Sequence, residues 1–206
     1  IYSTSAGDNS VNSLTLPTEL TGKTYSGYSP ASVTETGNVM LYSAGGGTIT
    51  IAANDITITY GQTIPSLTYS FSCSDSCSSS VMSGALTSAA GNAGVSPNAG
   101  TYAITLGTLA TSNGYTVNFT GATLTVNKAT LNISADNQTI TYGAATPSLT
   151  YTVNSGQVGA DDLMLSGSLS SNHTTSGAGF ANAGSWTVSQ GALATANDNY
   201  QISFST

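Results

Sequence analysis

The sequence repeats itself at an interval of 82 residues, and nothing else in it restricts the fold as much. Residues 56–69 read ITITYGQTIPSLTY and residues 138–151 read QTITYGAATPSLTY. Tyr60, Gly61, Pro65, Leu67 and Tyr69 thus return as Tyr142, Gly143, Pro147, Leu149 and Tyr151. Further on, SGAL at 83–86 is answered by SGSL at 166–169. The run NAGTYAITLGTLATSNGYTVNF from 98 is answered by NAGSWTVSQGALATANDNYQISF from 182. The drift of the interval is what small loop insertions in a duplicated module produce. Two modules, 48–127 and 130–206, are expected, joined by a short linker around Lys128. Segment 1–47 precedes them and matches neither.

Inside each module the hydrophobic period is two, the mark of half-buried strands. Leu67, Tyr69 and Phe71 alternate with Ser66, Thr68 and Ser70, and Leu149, Tyr151 and Val153 do the same. Tyr102, Ile104 and Leu106, then Tyr115, Val117 and Phe119, then Leu124 and Val126 continue the pattern. Gly61 and Gly143, each followed by a proline four residues on, mark a turn into a strand. The expected class is all-β: two tandem small β-sandwich-like modules (Ig-like or curled-sheet) plus an N-terminal strand segment.

Composition narrows the function. Only 5% of the chain is charged; nine carboxylates stand against two basic residues, Lys23 and Lys128, giving a net charge of −7. Two lysines cannot neutralise a phosphate backbone, so no nucleic-acid partner is expected. No apolar stretch approaches the ~20 residues of a spanning helix, so no membrane span is expected. Ser and Thr, about a third of the chain, take over the solubilising work of charge. The chain opens without the basic and apolar regions of a secretion signal and reads as a mature or excised piece.

The block Thr-Tyr-Gly-x-x-x-Pro-Ser-Leu-Thr-Tyr, the Ser-Gly-x-Leu, the Asn-Ala-Gly-x-(Tyr/Trp), the Gly-x-Leu and the closing Gly121-Ala-Thr-Leu-Thr-Val126 together resemble the MBG domain, YGX type. That resemblance implies a repeat of large secreted bacterial adhesins, including two-partner-secreted, filamentous-haemagglutinin-like proteins. It implies an extracellular or cell-surface setting, and it carries no catalytic residues over. The second module departs from the pattern: the sequence stops at Thr206, before a counterpart of Gly121 to Val126. A sheet lacking a strand presents unpaired backbone and an apolar groove. Simple truncation explains this, and so does filling by another segment. Asn12-Ser-Leu14-Thr-Leu16-Pro17 matches Ala122 to Asn127 in type and alternation, so residues 11–17 are a candidate donor strand for another copy. Donor and acceptor at opposite ends of one chain would build an open head-to-tail filament.

Chemistry-bearing residues are sparse. Cys73 and Cys77, four apart in a serine-rich turn, suit a disulfide staple in an oxidising compartment. A zinc site would need two more ligands, and the single histidine, His173, is about a hundred residues away. No metal site and no cofactor is expected. Asp161 and Asp162 read as turn-capping acids rather than an acid–base pair. Trp186 takes the position of Tyr102 and reads as a core anchor rather than a sugar platform. The repeated tyrosines read as core or sheet-edge residues. Asn118, Asn132, Asn137 and Asn172 head Asn-x-Ser/Thr triplets and are candidate glycosylation sites. The expected function is therefore non-enzymatic: a stalk or fibre-forming repeat in surface adhesion or a biofilm matrix. Its expected partners are its own copies or further repeats of a longer adhesin. The alternative is a glycan- or protein-binding adhesin module.

Overall fold

The computed structural model describes residues 2–3, 18–20, 39–42, 47–74, 77, 79–112 and 114–206. These residues are all-β, with one 3-10 turn, Ser79–Val81, among them. Ahead of the repeats, β1 (Tyr2–Ser3) and β2 (Thr18–Leu20) each pair in parallel with β3 (Val39–Tyr42). The candidate donor strand 11–17, with Leu14 and Leu16, and Lys23 lie outside the described residues.

The first repeat contains β4 (Thr48–Ala53), β5 (Ile56–Thr59), β6 (Tyr69–Cys73), β7 (Met82–Ser83), β8 (Thr87–Ser88), β9 (Gly100–Thr105), β10 (Ala110–Thr111), β11 (Thr116–Thr120) and β12 (Ala122–Asn127). The second contains β13 (Ala129–Ala135), β14 (Tyr151–Ser155), β15 (Leu165–Ser166), β16 (Ser170–Ser171), β17 (Val188–Ser189), β18 (Ala194–Thr195) and β19 (Tyr200–Ser205). Alternation decides which residues point inward. β4 buries Ile49 and Ile51 and exposes Thr48 and Thr50, while β13 buries Ala129, Leu131 and Ile133 and exposes Thr130 and Asn132.

Each of these strands is the middle of a three-stranded sheet. β4 has β6 antiparallel on one side and β11 parallel on the other; β13 has β14 and β19 in the same places. The duplication extends to the small hairpins. β7–β10 corresponds to β15–β18, and β8–β9 to β16–β17, all antiparallel. It fails at one place. In the first repeat β12 completes a sheet of order β5-β12-β9-β8 and pairs in parallel with β5, Val126 beside Ile58. In the second, residues 138–141 repeat the sequence around β5 yet lie outside any strand.

The protein packs as two compact units, and the division does not follow the repeats. One unit holds Ile1–Asp55, Ser66–Ala89 and Ala103–Thr123; the other holds Ile56–Pro65, Ala90–Tyr102 and Leu124–Thr206. The second unit therefore packs the Tyr60 turn of the first repeat with the second repeat. Its core is Ala129, Leu131, Ile133, Leu193 and Tyr200, with Tyr60, Val158, Ile202 and Phe204 against it. In the first unit Phe71 departs from the expected inward set and is more than a third exposed.

Ile51 is 1% exposed in mid-sheet. Truncation to Ala there removes buried apolar surface and leaves a cavity, so Ile51→Ala is expected to cost about 2–5 kcal/mol. Thr50→Ala, one residue away on the solvent face, should stay within about 0.5 kcal/mol. Urea unfolding of the two variants reads the difference.

Candidate functional site

The second unit contains a polar joint made by residues far apart in sequence. Tyr60 leaves β5 at the signature Tyr-Gly turn, held by its backbone N–H donating to the Asn127 carbonyl at 2.8 Å. Its phenol donates to Asp161 Oδ2 at 2.7 Å, and the phenol of buried Tyr200 donates to that same oxygen at 2.7 Å. The two rings meet edge to face, centroids 5.4 Å apart at 80°. The Val158 N–H donates to the Tyr200 oxygen at 3.0 Å. Beside this, Asn199 Oδ1 accepts from the Ala99 N–H at 2.7 Å, and Asn199 Nδ2 donates to Asn98 Oδ1 at 3.2 Å. A carboxylate receiving two phenols is a charge-assisted network, stronger than neutral hydrogen bonds. Both phenolic hydrogen bonds favour ionised Asp161 and hold its carboxyl below the usual 3.8. The bond to Asp161, burial and the nearby negative charge push the Tyr60 phenol up to about 12. Burial, then the same bond, raises Tyr200.

Gly61 sits directly over Val158. Its φ is +91°, and a Cβ there would come within 2.8 Å of Val158 Cγ2. Gly143 has the same φ of +91°, and a Cβ there would meet nothing within 4 Å.

A groove of about 640 Å³ lies in the second repeat, where β12 lies in the first. One wall is residues 135–142; the other is residues 181–188, with Ser171 and His173 also lining it. The walls carry Ile140, Tyr142 and Trp186, exposed by 38%, 62% and 36%. Ile58, the counterpart of Ile140, is 8% exposed under its pairing with β12. The same residue in the same motif is thus covered where a strand is added and open where none is. The groove ends are shaped alike in both repeats: Tyr102 donates to the Asn98 carbonyl at 2.9 Å, and Trp186 Nε1 donates to the Asn182 carbonyl at 3.1 Å.

A family model, the MBG domain (YGX type), matches the chain twice, over residues 49–125 and 131–206. The chain belongs to this family. No curated protein and no solved structure matched it.

Against that family's signature, two readings from the sequence are corrected. Tyr142 is not a core or sheet-edge residue but stands in solvent, and Trp186 is a groove wall rather than a core anchor. Of the remaining signature residues, Tyr69 and Tyr151 are half-buried strand residues, Leu67 is half-buried, and Pro147 and Leu149 line the groove of the second MBG repeat. Pro65 is exposed ahead of β6. Cys73 and Cys77 are disulfide-bonded. Asp162 does cap its turn, accepting from the Met164 N–H at 2.9 Å where Met164 has a φ of 48°. Asp161, read as its equal, instead holds the joint.

The candidate glycosylation sites differ. Asn118 is exposed on β11, and Asn137 is exposed on the groove wall. Asn132 Nδ2 donates to Ser155 Oγ, and Asn172 Oδ1 accepts from the Thr187 N–H. His173 Nδ1 lies 2.6 Å from Ser171 Oγ, while Asp136 accepts from Thr152 Oγ1 at 2.8 Å. Lys128 stands 4.0 Å from Asp198, both exposed, a pair worth little. Among the described residues no three His, Cys, Asp or Glu side chains gather to hold a metal.

The joint has a defined pH window. The depressed Asp161 pKa contributes stability that is present above 3.8 and lost as pH falls further. The raised Tyr60 pKa contributes stability that is present below 10.0 and lost as pH climbs through about 12. Asp161→Asn is expected to bring Tyr60 ionisation from about 12 down towards 10.0, followed by phenolate absorbance. Gly61→Ala is expected to lower the melting temperature more than Gly143→Ala. The backbone strain is common to both, and only Gly61 meets Val158.

Proposed function

We propose that the chain is a non-enzymatic, extracellular structural segment of a cell-surface adhesin. Its MBG repeats serve as stalk or fibre units, and its second repeat is completed by an added β-strand. The observation that supports this reading is the contrast between Ile58 and Ile140. The groove has the lining and the flanking segments of a β12 site, and its natural ligand is an extended segment with the alternation of Ala122–Asn127. A strand entering there gains backbone hydrogen bonds along its length and places alternate side chains on Ile140.

The donor is residues 11–17 of another copy, whose Leu14 and Leu16 take the places of Leu124 and Val126. Because one copy gives at its N-terminal end and receives at its C-terminal repeat, the contact propagates head to tail. Adhesion or a biofilm matrix is the setting the family suggests. A hydroxyl-rich, nearly uncharged surface suits it, since salt hardly screens its hydrogen bonds. The groove's exposed Trp186 beside His173 favours, as a second reading, a sugar ring stacked in the same place.

Electron microscopy of the purified chain tests this. Filaments are expected from the intact chain, none after deletion of residues 1–18, and shortening when a peptide of residues 121–128 occupies the groove. Filaments that survive the deletion, or an intact chain that stays monomeric at all concentrations, overturn strand exchange. A glycan that shifts Trp186 emission and competes with the peptide favours the second reading.

A further inference from the structure

The Tyr60 joint is built from two separable halves, and the chain holds one half twice. The outgoing half consists of the Tyr60-Gly61 turn with Asn98 and Ala99. Its sequence returns as Tyr142-Gly143 with Asn182 and Ala183. The backbone is already in the same shape. Gly61 and Gly143 share a φ of +91°, Gly100 and Gly184 have φ of +154° and +152°, and the aromatic at 102 or 186 reaches back to the Asn carbonyl in both. Only the occupancy differs. The Tyr60 phenol is bonded to Asp161, while the Tyr142 ring is 62% exposed; Gly61 is covered by Val158, while Gly143 faces nothing. Asn182 rests its Nδ2 on Thr174 Oγ1, and its Oδ1 corresponds to the Asn98 oxygen that receives Asn199.

The incoming half does not recur. Counting back from the shared Ser-Gly-x-Leu, the first repeat has Ser78 where the second has Asp161. From the shared aromatic, it has Gly114 and Tyr115 where the second has Asn199 and Tyr200. A serine hydroxyl supplies no charge for two phenols to share, and glycine supplies no amide for the backbone at 99 or the side chain at 98. The first repeat therefore cannot receive what Tyr142 and Asn182 offer.

We infer that Tyr142, Gly143 and Asn182 are a vacant outgoing half-joint whose partner is a further β module of this same family. That module carries a carboxylate, an asparagine and a tyrosine at the positions of Asp161, Asn199 and Tyr200, and the first repeat of another copy is not its match. Tyr142 and Asn182 also line the strand groove, so the test must read filling of the groove and engagement of the half-joint separately.

The test extends the intact chain after Thr206 with a copy of residues 122–206. In the appended copy Tyr142→Phe and Trp186→Phe leave the original Tyr142 and Trp186 as the reporters. A second extended chain also carries Asp161→Ser and Asn199→Gly in the appended copy, imitating the first repeat. Tetranitromethane nitrates phenolate-forming tyrosines, and peptide mass mapping reads each site. Trp186 emission reports separately whether the appended β12 segment fills the groove, and protection of Tyr60 in every chain confirms that the existing joint is intact. Tyr142 is expected to be nitrated readily in the present chain, at least tenfold more slowly in the first extended chain, and readily again in the second. A blue shift of Trp186 with no protection of Tyr142 in the first extended chain overturns the joint while leaving strand addition standing. Equal protection in both extended chains overturns the carboxylate and amide as its recognition elements. Absence of both the blue shift and the protection overturns the joint and strand addition together.

Discussion

Each repeat depends on a parallel ladder between its opening strand and one that comes near its end. β4 pairs with β11 and β13 with β19, so residues about seventy apart must meet before either three-stranded sheet is complete. In a chain with 5% charged residues, ion pairs contribute little to this; the single pair described, Lys128 with Asp198, is exposed and long. The fold is held by backbone bonds and by the apolar stripe that alternation places behind them, Ile49 and Ile51 in one repeat and Leu131 and Ile133 in the other. Everything else, including the joint and the groove, is attached to these two sheets.

The joint shows why a nearly uncharged protein keeps particular acids. Asp161 Oδ2 is the common acceptor of two phenols, one from each repeat, and Tyr200 is at the same time a member of the core. Replacing the aspartate with the serine of the first repeat would leave both hydroxyls competing for one neutral oxygen. Asp161 and Asn199, where the first repeat has Ser78 and Gly114, thus set the second repeat apart from the first, although the sheets around them are alike. The carboxylate adds directional, charge-assisted bonds at a place where Tyr60 and Val158 otherwise contribute only non-directional packing against the core.

Much of this was legible in the sequence, and the parts that were not have a common cause. The duplication, the alternation that buries Ile104, Leu124 and Val126, and the all-β class are local or periodic signals. What escaped was set by partners distant in sequence. The runs at 56–59 and 138–141 are nearly identical, yet only the first is a strand, because strand formation is decided by the neighbour and only the first has β12 beside it. Tyr142, expected at a core or sheet edge, and Trp186, expected as a core anchor, stand exposed for the same reason. In the first repeat Tyr60 is held by Asp161 and Ile58 lies under β12, while the groove of the second repeat has no such cover among the described residues. The Tyr60–Asp161 bond spans 101 residues, so no window shows it. A signal did exist in the alignment of the two repeats, where Asp161 stands opposite Ser78 in a chain with only nine acids. A charge that appears in one copy and not the other marks a task the copies do not share.

The parallel arrangement of β13 and β19 has a mechanical consequence. Their ladder runs from Ala129 beside Tyr200 to Ser134 beside Ser205. Tension applied at the start of β13 and the end of β19 pulls the two strands in opposite directions along their own axes. The load then falls on all of the bridging bonds at once and not on the outermost one, as it would in a hairpin peeled from its open end. A tether anchored at one extremity and tugged at the other by flowing liquid would have to break the whole seam in one event.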